Sequence, residues 1–321
     1  MVNPLYLGKR FVVAVISIVV VITLVFLLTD ALPGSAAEII LGTTATPEAV
    51  EQLEHQMGLD RPLPIRYVDF MVGIFTLEWG TSLISGQPVS SLILPRLWRT
   101  LMLTFVAMGM TIITAIPLGI LVAAKRGGKF DNVLTNLSYV GISMPDFVSG
   151  SLLLMLFTTG MIGMNYFPNG GYAPLNEGLL SWLHHLILPS LALNFVVFSY
   201  VLRQTRSSMI DTLRSKYIRT ARLKGVSEVK VLFKHAMRNG LLPAVTVLAL
   251  NFGWMMGSVV IIEEIFTFPG LGKLIVRAIH QRDLPVIQVA ILVPTMSFII
   301  ANFLADMIYT VLDPRIEMGE K

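Results

Sequence analysis

Six long apolar runs limit this chain to a helical bundle in lipid. The first covers Phe11–Leu28 and carries no charge. The others are Leu101–Ala124, Phe147–Met164, Leu186–Leu202, Leu241–Ile262 and Val286–Leu312, the third preceded by a less apolar helical stretch from Val133. A helix rises about 1.5 Å per residue, so roughly 20 apolar residues cross the hydrocarbon layer. No water is present there to satisfy backbone N–H and C=O groups, so continuous apolar runs become helices. Composition agrees: 54% of the 321 residues are hydrophobic and 14% are charged, against roughly 25% charged in a soluble domain. The expected fold class is all-α, a polytopic membrane protein of six transmembrane helices. With no cysteine, disulfides and Cys-ligated metals are excluded.

Lysine and arginine asymmetry sets the orientation. Lys9 and Arg10 precede the first run, and Lys125, Arg126 and Lys129 follow the second. Arg203, Arg206, Arg214, Lys216, Arg219, Arg222, Lys224, Lys230, Lys234 and Arg238 lie between the fourth and fifth. If six spans alternate, these regions share one side, so both termini and the loop 203–240 are expected to be cytoplasmic. The opposite side receives the acid-rich segment from Glu38 to Glu78 and the mixed segment Glu263–Asp283. The first run, with a basic start and a following "GSAAE", also has the outline of a cleavable signal. Its apolar stretch exceeds the usual core of roughly 7–15 residues, so a retained span is expected.

The outer segment 31–99 carries its own order. Thr46-Pro47 reads as N-cap and first helical residue, and Gly58 as the stop. Ala49, Val50, Leu53 and Met57 can share one face between them. Arg66–Trp79 is aromatic enough to lie on the membrane surface. The segment is either a packed lid over the bundle or a contact for a delivery protein outside.

Catalytic and nucleotide-binding patterns are missing. "FPGLGKLI" at Phe268–Ile275 suggests a P-loop, but Leu274 follows the Gly-Lys and Thr267 stands where the first Gly belongs. His184 and His185 are adjacent, so a helix points them apart, and interfacial placement explains them better than a metal. Asp146 follows Met144-Pro145 at a helix start, where a carboxylate suits the orphan N–H groups and the dipole; a pathway role is the alternative. Asp306, near the end of the sixth run, is expected to be paired or hydrated at the interface. Asn251 in the fifth run is a candidate for lining a path, or equally for an interhelical hydrogen bond. Met255 and Met256 share that candidacy. Gly253 and Gly257 form a GxxxG pattern that suits a subunit or bundle contact.

The basic loop divides at Gly225. Before it, Ile210, Leu213, Tyr217 and Ala221 fall near one helical stripe. After it, Val229, Leu232, Phe233, Ala236 and Met237 follow the i, i+3, i+4, i+7, i+8 spacing of an amphipathic helix. Lys230, Lys234 and Arg238 line another face. Gly225 can adopt the positive φ that ends a helix, and Ser227 can N-cap the next. The capping box is incomplete, because Lys230 stands where Glu or Gln is wanted. Basic amphipathic helices also lie on anionic lipid, but a surface anchor needs no sharp interruption. A docking knob does, and the bend Ala221–Ser227 is expected to project into the cytoplasm.

"YIRTARLKGVSEVKVLFKHAMRNGLLP" (Tyr217–Pro243) resembles the cytoplasmic signature of ABC importer permeases of the dipeptide/oligopeptide/nickel type. The broader importer signature is Glu-Ala-Ala, three residues, then Gly. Arg219-Thr220-Ala221 occupy the first places here and Gly225 matches, a departure typical of the peptide branch. Its Leu-Pro is displaced to Leu242-Pro243. "MGLDRPLPIRY", "GISMPDF", "LPSLAL", "EEIFTFPGLGKLIVRAI", "RDLPVIQ" and "YTVLDPR" agree in order along nearly the whole chain. Asp146 departs from the small or neutral residue such a motif carries, so it takes no role from the resemblance.

The resemblance implies the type I importer permease fold in a bacterial or archaeal cytoplasmic membrane. It implies a second, homologous permease subunit, two cytoplasmic ATPase subunits and an extracytoplasmic substrate-binding protein, with no nucleic acid. ATP and Mg would be held by the partners, leaving no cofactor and no catalysis in this chain. Arg219, Thr220, Ala221, Arg222, Lys224, Gly225, Val226 and Ser227 would form the coupling helix seated on an ATPase. The expected parts are an N-terminus at 1–10, a first span at 11–30, the outer segment 31–99, a five-helix permease core at 100–312 and a C-terminus at 313–321. Such importers serve peptides, nickel, glutathione, opines or oligosaccharides, and export or uptake of antimicrobial peptides is the neighbouring role. An ion-coupled carrier would need internal repeats and paired intramembrane charges. An intramembrane enzyme would need a nucleophile–base or metal constellation. Neither pattern stands out.

Overall fold

A computed structural model describes residues 4–31, 36–41, 45–158 and 166–312. Every regular element among them is helical, apart from one isolated antiparallel bridge between Thr81 and Pro88. In order come α1 (Pro4–Asp30), α2 (Ala36–Leu41), α3 (Pro47–Met57), α4 (Leu63–Thr76) and α5 (Val89–Ala124). Then follow α6 (Lys129–Ser143), α7 (Asp146–Phe157), α8 (Leu179–Leu213), α9 (Lys216–Leu223) and α10 (Glu228–Lys230). A π-helical turn, Val231–Ala236, leads to α11 (Met237–Gly240), α12 (Leu242–Ile265), α13 (Leu271–Gln281) and α14 (Leu284–Leu312).

Five stretches are each long and apolar enough to cross a membrane: Leu7–Asp30, Val89–Ala124, Leu179–Leu213, Leu242–Ile265 and Leu284–Phe303. The expected third span is different. It is a pair, α6 and α7, bent by 108°. Pro145 pushes Met144 out of the helical region, to φ −89° and ψ 118°. Helix α7, at 12 residues, reaches about 18 Å and cannot span alone. The expected end at Met164 lies outside the described residues, as do the Gly34-Ser35 of the possible cleavage site and the C-terminus from 313.

Two other helices overrun their expected ends. Helix α5 starts twelve residues early, at Val89, and α8 runs on through its arginines to Leu213. Pro95 falls in the early part of α5 without ending it, no proline or glycine interrupts the extension of α8, and a change from apolar to charged side chains does not end a helix.

The chain forms two compact units. One comprises residues 1–7, 101–268 and 301–321; the other comprises 8–100 and 269–300. In the first, α8 packs against α6, α7 and α12. Small residues permit the closeness: a Cβ on Gly141 of α6 would collide with Ser199 of α8, and one on Gly119 of α5 would sit 2.7 Å from the Thr205 Cβ. In the second unit, the outer segment packs with α1, α13 and the start of α14, so residues 269–300 group with it while the break after Thr100 falls near the expected boundary. Ile22 and Phe26 of α1 are buried there, with Phe26 edge-on to Tyr67. Asp30 pairs with Arg66 at 2.7 Å, and Gln288 donates to Thr29. Helix α1 is therefore built into its unit as a span. Helix α3 is capped as expected, Thr46 accepting from the Ala49 N–H at 3.3 Å and Gly58 closing it at φ 67°. The expected face of α3 has Ala49, Val50 and Leu53 half-buried, while the Met57 side chain lies outside the described residues.

Candidate functional site

The basic segment of the first unit turns at the bend after α9. Gly225 has φ 76°, a conformation that strains any residue with a Cβ. Its N–H donates to Arg222 O at 2.9 Å, and the Val226 N–H donates to Ala221 O at 3.3 Å. These two bonds are a Schellman closure, and the Ala221–Val226 pair supplies its apolar contact. Arg222 and Glu228 then clamp the bend from outside, Nε to Oε1 at 2.8 Å and Nη2 to Oε2 at 3.1 Å. Ser227 has the extended backbone of an N-cap, but its side chain makes no capping bond. That part of the expectation fails: the ion pair, rather than the hydroxyl, closes the turn.

Beneath the bend lies a small core. Ile218, Val231 and Ala236 are fully buried against Ile120, Ala123, Met209 and Ile210. Ala221 and Val226 pack onto it from the bend. The expected apolar faces need two corrections. Helix α8 ends at Leu213 and α9 starts afresh at Lys216, so the single stripe Ile210, Leu213, Tyr217, Ala221 is broken and Ile218, not Tyr217, points inward. After the bend, the π turn brings residues five apart onto one side, so Val231 and Ala236 are buried. Val229 and Phe233, expected on the buried face, are 69% and 58% exposed. Tyr217 ties the two arms together, its hydroxyl donating to His235 O at 3.4 Å and accepting from Asn239 Nδ2 at 3.1 Å.

The eight candidate coupling residues thus divide. Ala221 and Val226 are half-buried anchors, whereas Arg219, Thr220, Arg222, Lys224, Gly225 and Ser227 are exposed. The spacing argument missed Leu223, which is 81% exposed at the tip of α9. Val229 and Phe233 beyond the bend are exposed as well, as are Lys224, Lys230 and Lys234; large exposed apolar side chains suit an interaction site. The signal of Leu223 in the sequence is an apolar residue off the stripe, next to the turn glycine.

A second missed group lies at the start of α6. Asp131, only 2% exposed, accepts from Arg206 Nε at 2.6 Å and Nη2 at 2.8 Å, from the Gly127 N–H at 2.8 Å and from Thr135 Oγ1 at 3.1 Å. This clasp joins α6 and its preceding turn to α8, the helix on which the bend is anchored.

The intramembrane candidates fall as follows. Asn251 is half-buried, its Nδ2 donating to Val247 O of its own helix at 2.7 Å. Met255 and Met256 are buried in the core formed with Leu193, Val197, Leu248 and Val259. The outward face of α12 carries Leu250, Trp254, Gly257 and Ile261 instead. A Cβ on Gly257 would meet no atom within 4 Å outside its own helix backbone among the described residues. Asp146 occupies the first turn of α7 without making a capping bond; it turns to Ser258 on α12, which hydrogen-bonds its side chain. His184 stacks near Phe167, 5.2 Å between centroids, and His185 Nδ1 is 2.9 Å from Ser181 O. In the P-loop-like stretch, Gly270 begins α13 and the Leu271 N–H is held by Thr100 Oγ1 at 2.8 Å. The Asp306 side chain lies outside the described residues.

Residues 115–318 match the family described as binding-protein-dependent transport system inner membrane component, and residues 4–104 match its N-terminal part. A peptide transport system permease protein of Brucella abortus is 40% identical over 308 residues, covering 96% of this chain and 97% of that one. A glutathione transport system permease protein of Pectobacterium atrosepticum is 37% identical over 311 residues, covering 97% and 98%. Among solved structures, the inward-facing methionine ABC transporter MetNI superposes with TM-score 0.58 at 15% identity, over 70% of this chain and 98% of that one.

Proposed function

The chain belongs to the family of binding-protein-dependent transport system inner membrane components, and on that premise we propose how it works. It is a transmembrane permease subunit of an ABC importer. Its solute is a peptide or a similar small molecule, in keeping with the peptide and glutathione transport named for its relatives. ATP is hydrolysed by separate cytoplasmic ATPase subunits, and an extracytoplasmic binding protein delivers the solute. Both termini face the cytoplasm.

The observation that carries the mechanism is the bend at Gly225: rigid in backbone, apolar at its exposed tip and anchored underneath. Leu223, Val229 and Phe233 fill a groove on an ATPase subunit while Arg219, Lys224 and the Arg222–Glu228 pair rim it. When the ATPases close on ATP, they displace this knob. Ile218, Val231 and Ala236 pass the displacement to Met209 and Ile210 of α8 and to Ile120 and Ala123 of α5. The Asp131–Arg206 clasp carries it from α8 to α6. The spans then alternate between outward and inward access. Asn251 lines the path, with Met255 and Met256 backing it from the core side, and the open face around Gly257 receives the second permease subunit.

Gly225→Trp tests the coupling. The substitution leaves the spans unchanged, so assembly is retained, and ATP-driven uptake by the reconstituted importer is lost. Uptake still coupled to hydrolysis in that variant would refute the assignment.

A further inference from the structure

Asp146 is a feature of the first unit that the coupling mechanism leaves without a role. It sits at the bend between α6 and α7, 7% exposed. One carboxylate oxygen is engaged by Ser258, while Oδ1 is buried and has no hydrogen-bond partner. Among the described residues no cation acts on it. An ionisable side chain at membrane depth is costly unless something is paired with it. The first turn of α7 provides a favourable dipole, but a dipole does not satisfy a buried oxygen.

The surroundings specify the missing partner. Asp146 lines a groove of about 350 Å³ whose walls include Phe147, Val196, Tyr200, Trp254 and Ile261. Phe147, Tyr200 and Trp254 are exposed, so the groove opens away from the core of this chain. Three aromatic side chains beside one carboxylate, with no basic group among the lining residues, form a cage of negative electrostatic potential. Aromatic faces attract organic cations, most strongly where water is excluded. An inorganic cation would instead want several converging oxygen ligands, and among the lining side chains only Asp146 is charged, beside the hydroxyls of Ser143 and Tyr200.

We propose that the groove at the α6–α7 bend binds an ammonium group of the passing solute, with Asp146 as counter-charge and Phe147, Tyr200 and Trp254 as walls. The inference rests on the importer reading, since peptides and glutathione both carry a free amine. Binding there is transient. The ammonium leaves its water for the cage while the rest of the solute remains in the path, and movement of α7 against α12 through the Asp146–Ser258 contact releases it.

The absence of cysteine makes the test direct. Ile261→Cys places a single thiol of this chain in the wall of the groove, with Asp146 intact, in the assembled importer held in nanodiscs. Two reagents of similar size are compared, trimethylammonioethyl and sulfonatoethyl methanethiosulfonate, each rate normalised to a free thiol and read by mass spectrometry of this subunit. The cationic reagent is expected to react at least about tenfold faster. Dialanine is expected to slow it, and N-acetyl-dialanine is not. Charge-blind labelling, no labelling, or equal protection by the two dipeptides overturns the site. Shielding that depends only on the partner permease assigns the ammonium to a basic side chain of that subunit, and also overturns it. Asp146→Asn keeps the shape and the Ser258 contact. It is expected to lower uptake at least about tenfold with assembly retained; unchanged uptake counts against the proposal. A wild-type importer without ATP-dependent uptake would refute the proposed function and leave the labelling result standing.

Discussion

The Asp131–Arg206 clasp gives the most quantitative prediction. Breaking a buried ion pair by removing one partner costs about 3–5 kcal/mol, because the other charge is left uncompensated. In Arg206→Ala that charge is the carboxylate, 2% exposed, with Gly127 and Thr135 still donating to it. In Asp131→Ala it is the guanidinium, whose side chain is 26% exposed and keeps part of its hydration. The expected losses are therefore about 3–4 kcal/mol for Arg206→Ala and about 2–3 kcal/mol for Asp131→Ala. The double variant strands neither charge and loses about 3 kcal/mol, so the cycle gives a coupling of about 2–4 kcal/mol. Unfolding in mixed micelles, followed by tryptophan fluorescence, measures each corner. The coupling should persist in about 0.5 M salt, since burial limits screening. The Arg222–Glu228 pair is a useful contrast: its geometry is equally bidentate, but its side chains are 43% and 71% exposed. Its coupling should fall at or below about 1 kcal/mol and fade with salt. Additive losses for Asp131 and Arg206, within about 0.5 kcal/mol, would refute the claim that the clasp holds α6 to α8.

Two further outcomes probe the anchor and the spans. Ile218→Ala removes three carbons from a fully buried site and should cost about 2–3 kcal/mol; because that core is small, the loss should appear as faster amide exchange in α9 with the spans still protected. Gly141→Ala drives a Cβ into Ser199 and should cost about 1–3 kcal/mol, with Ser199→Ala in the same chain recovering part of it; a double variant no better than Gly141→Ala alone would mean that α6 and α8 are not packed through this contact.

Much of the molecule follows from local chemistry. The apolar runs, the basic loop and the turn glycine each act through their own residues and near neighbours. Hydropathy sets where helices cross lipid, and Gly225 alone permits the φ of the bend. Even the break at Met144 is local, a steric effect of Pro145. The coupling candidates were therefore legible as a segment. Their division into anchors and contacts was not, because Ala221 and Arg222 differ by what lies beneath them rather than by position along the chain.

What tertiary structure decided is which side chain meets which. An α-helical wheel buries Val229 and Phe233 with Ala236, but across the π turn Ala236 is buried with Val231 while Val229 and Phe233 are exposed. Asp131 and Asp146 are the same residue type, each at the start of a helix. One is met by Arg206, 75 positions away, and the other by Ser258 alone. Met255 and Met256 left the candidate path for the core once α8 packed against them. The apolar helices, the basic loop and its turn glycine belong to the sequence, because water, lipid and backbone sterics act on it residue by residue. Charge pairing and burial belong to the fold, because each depends on atoms that only the packed helices bring within a few ångströms.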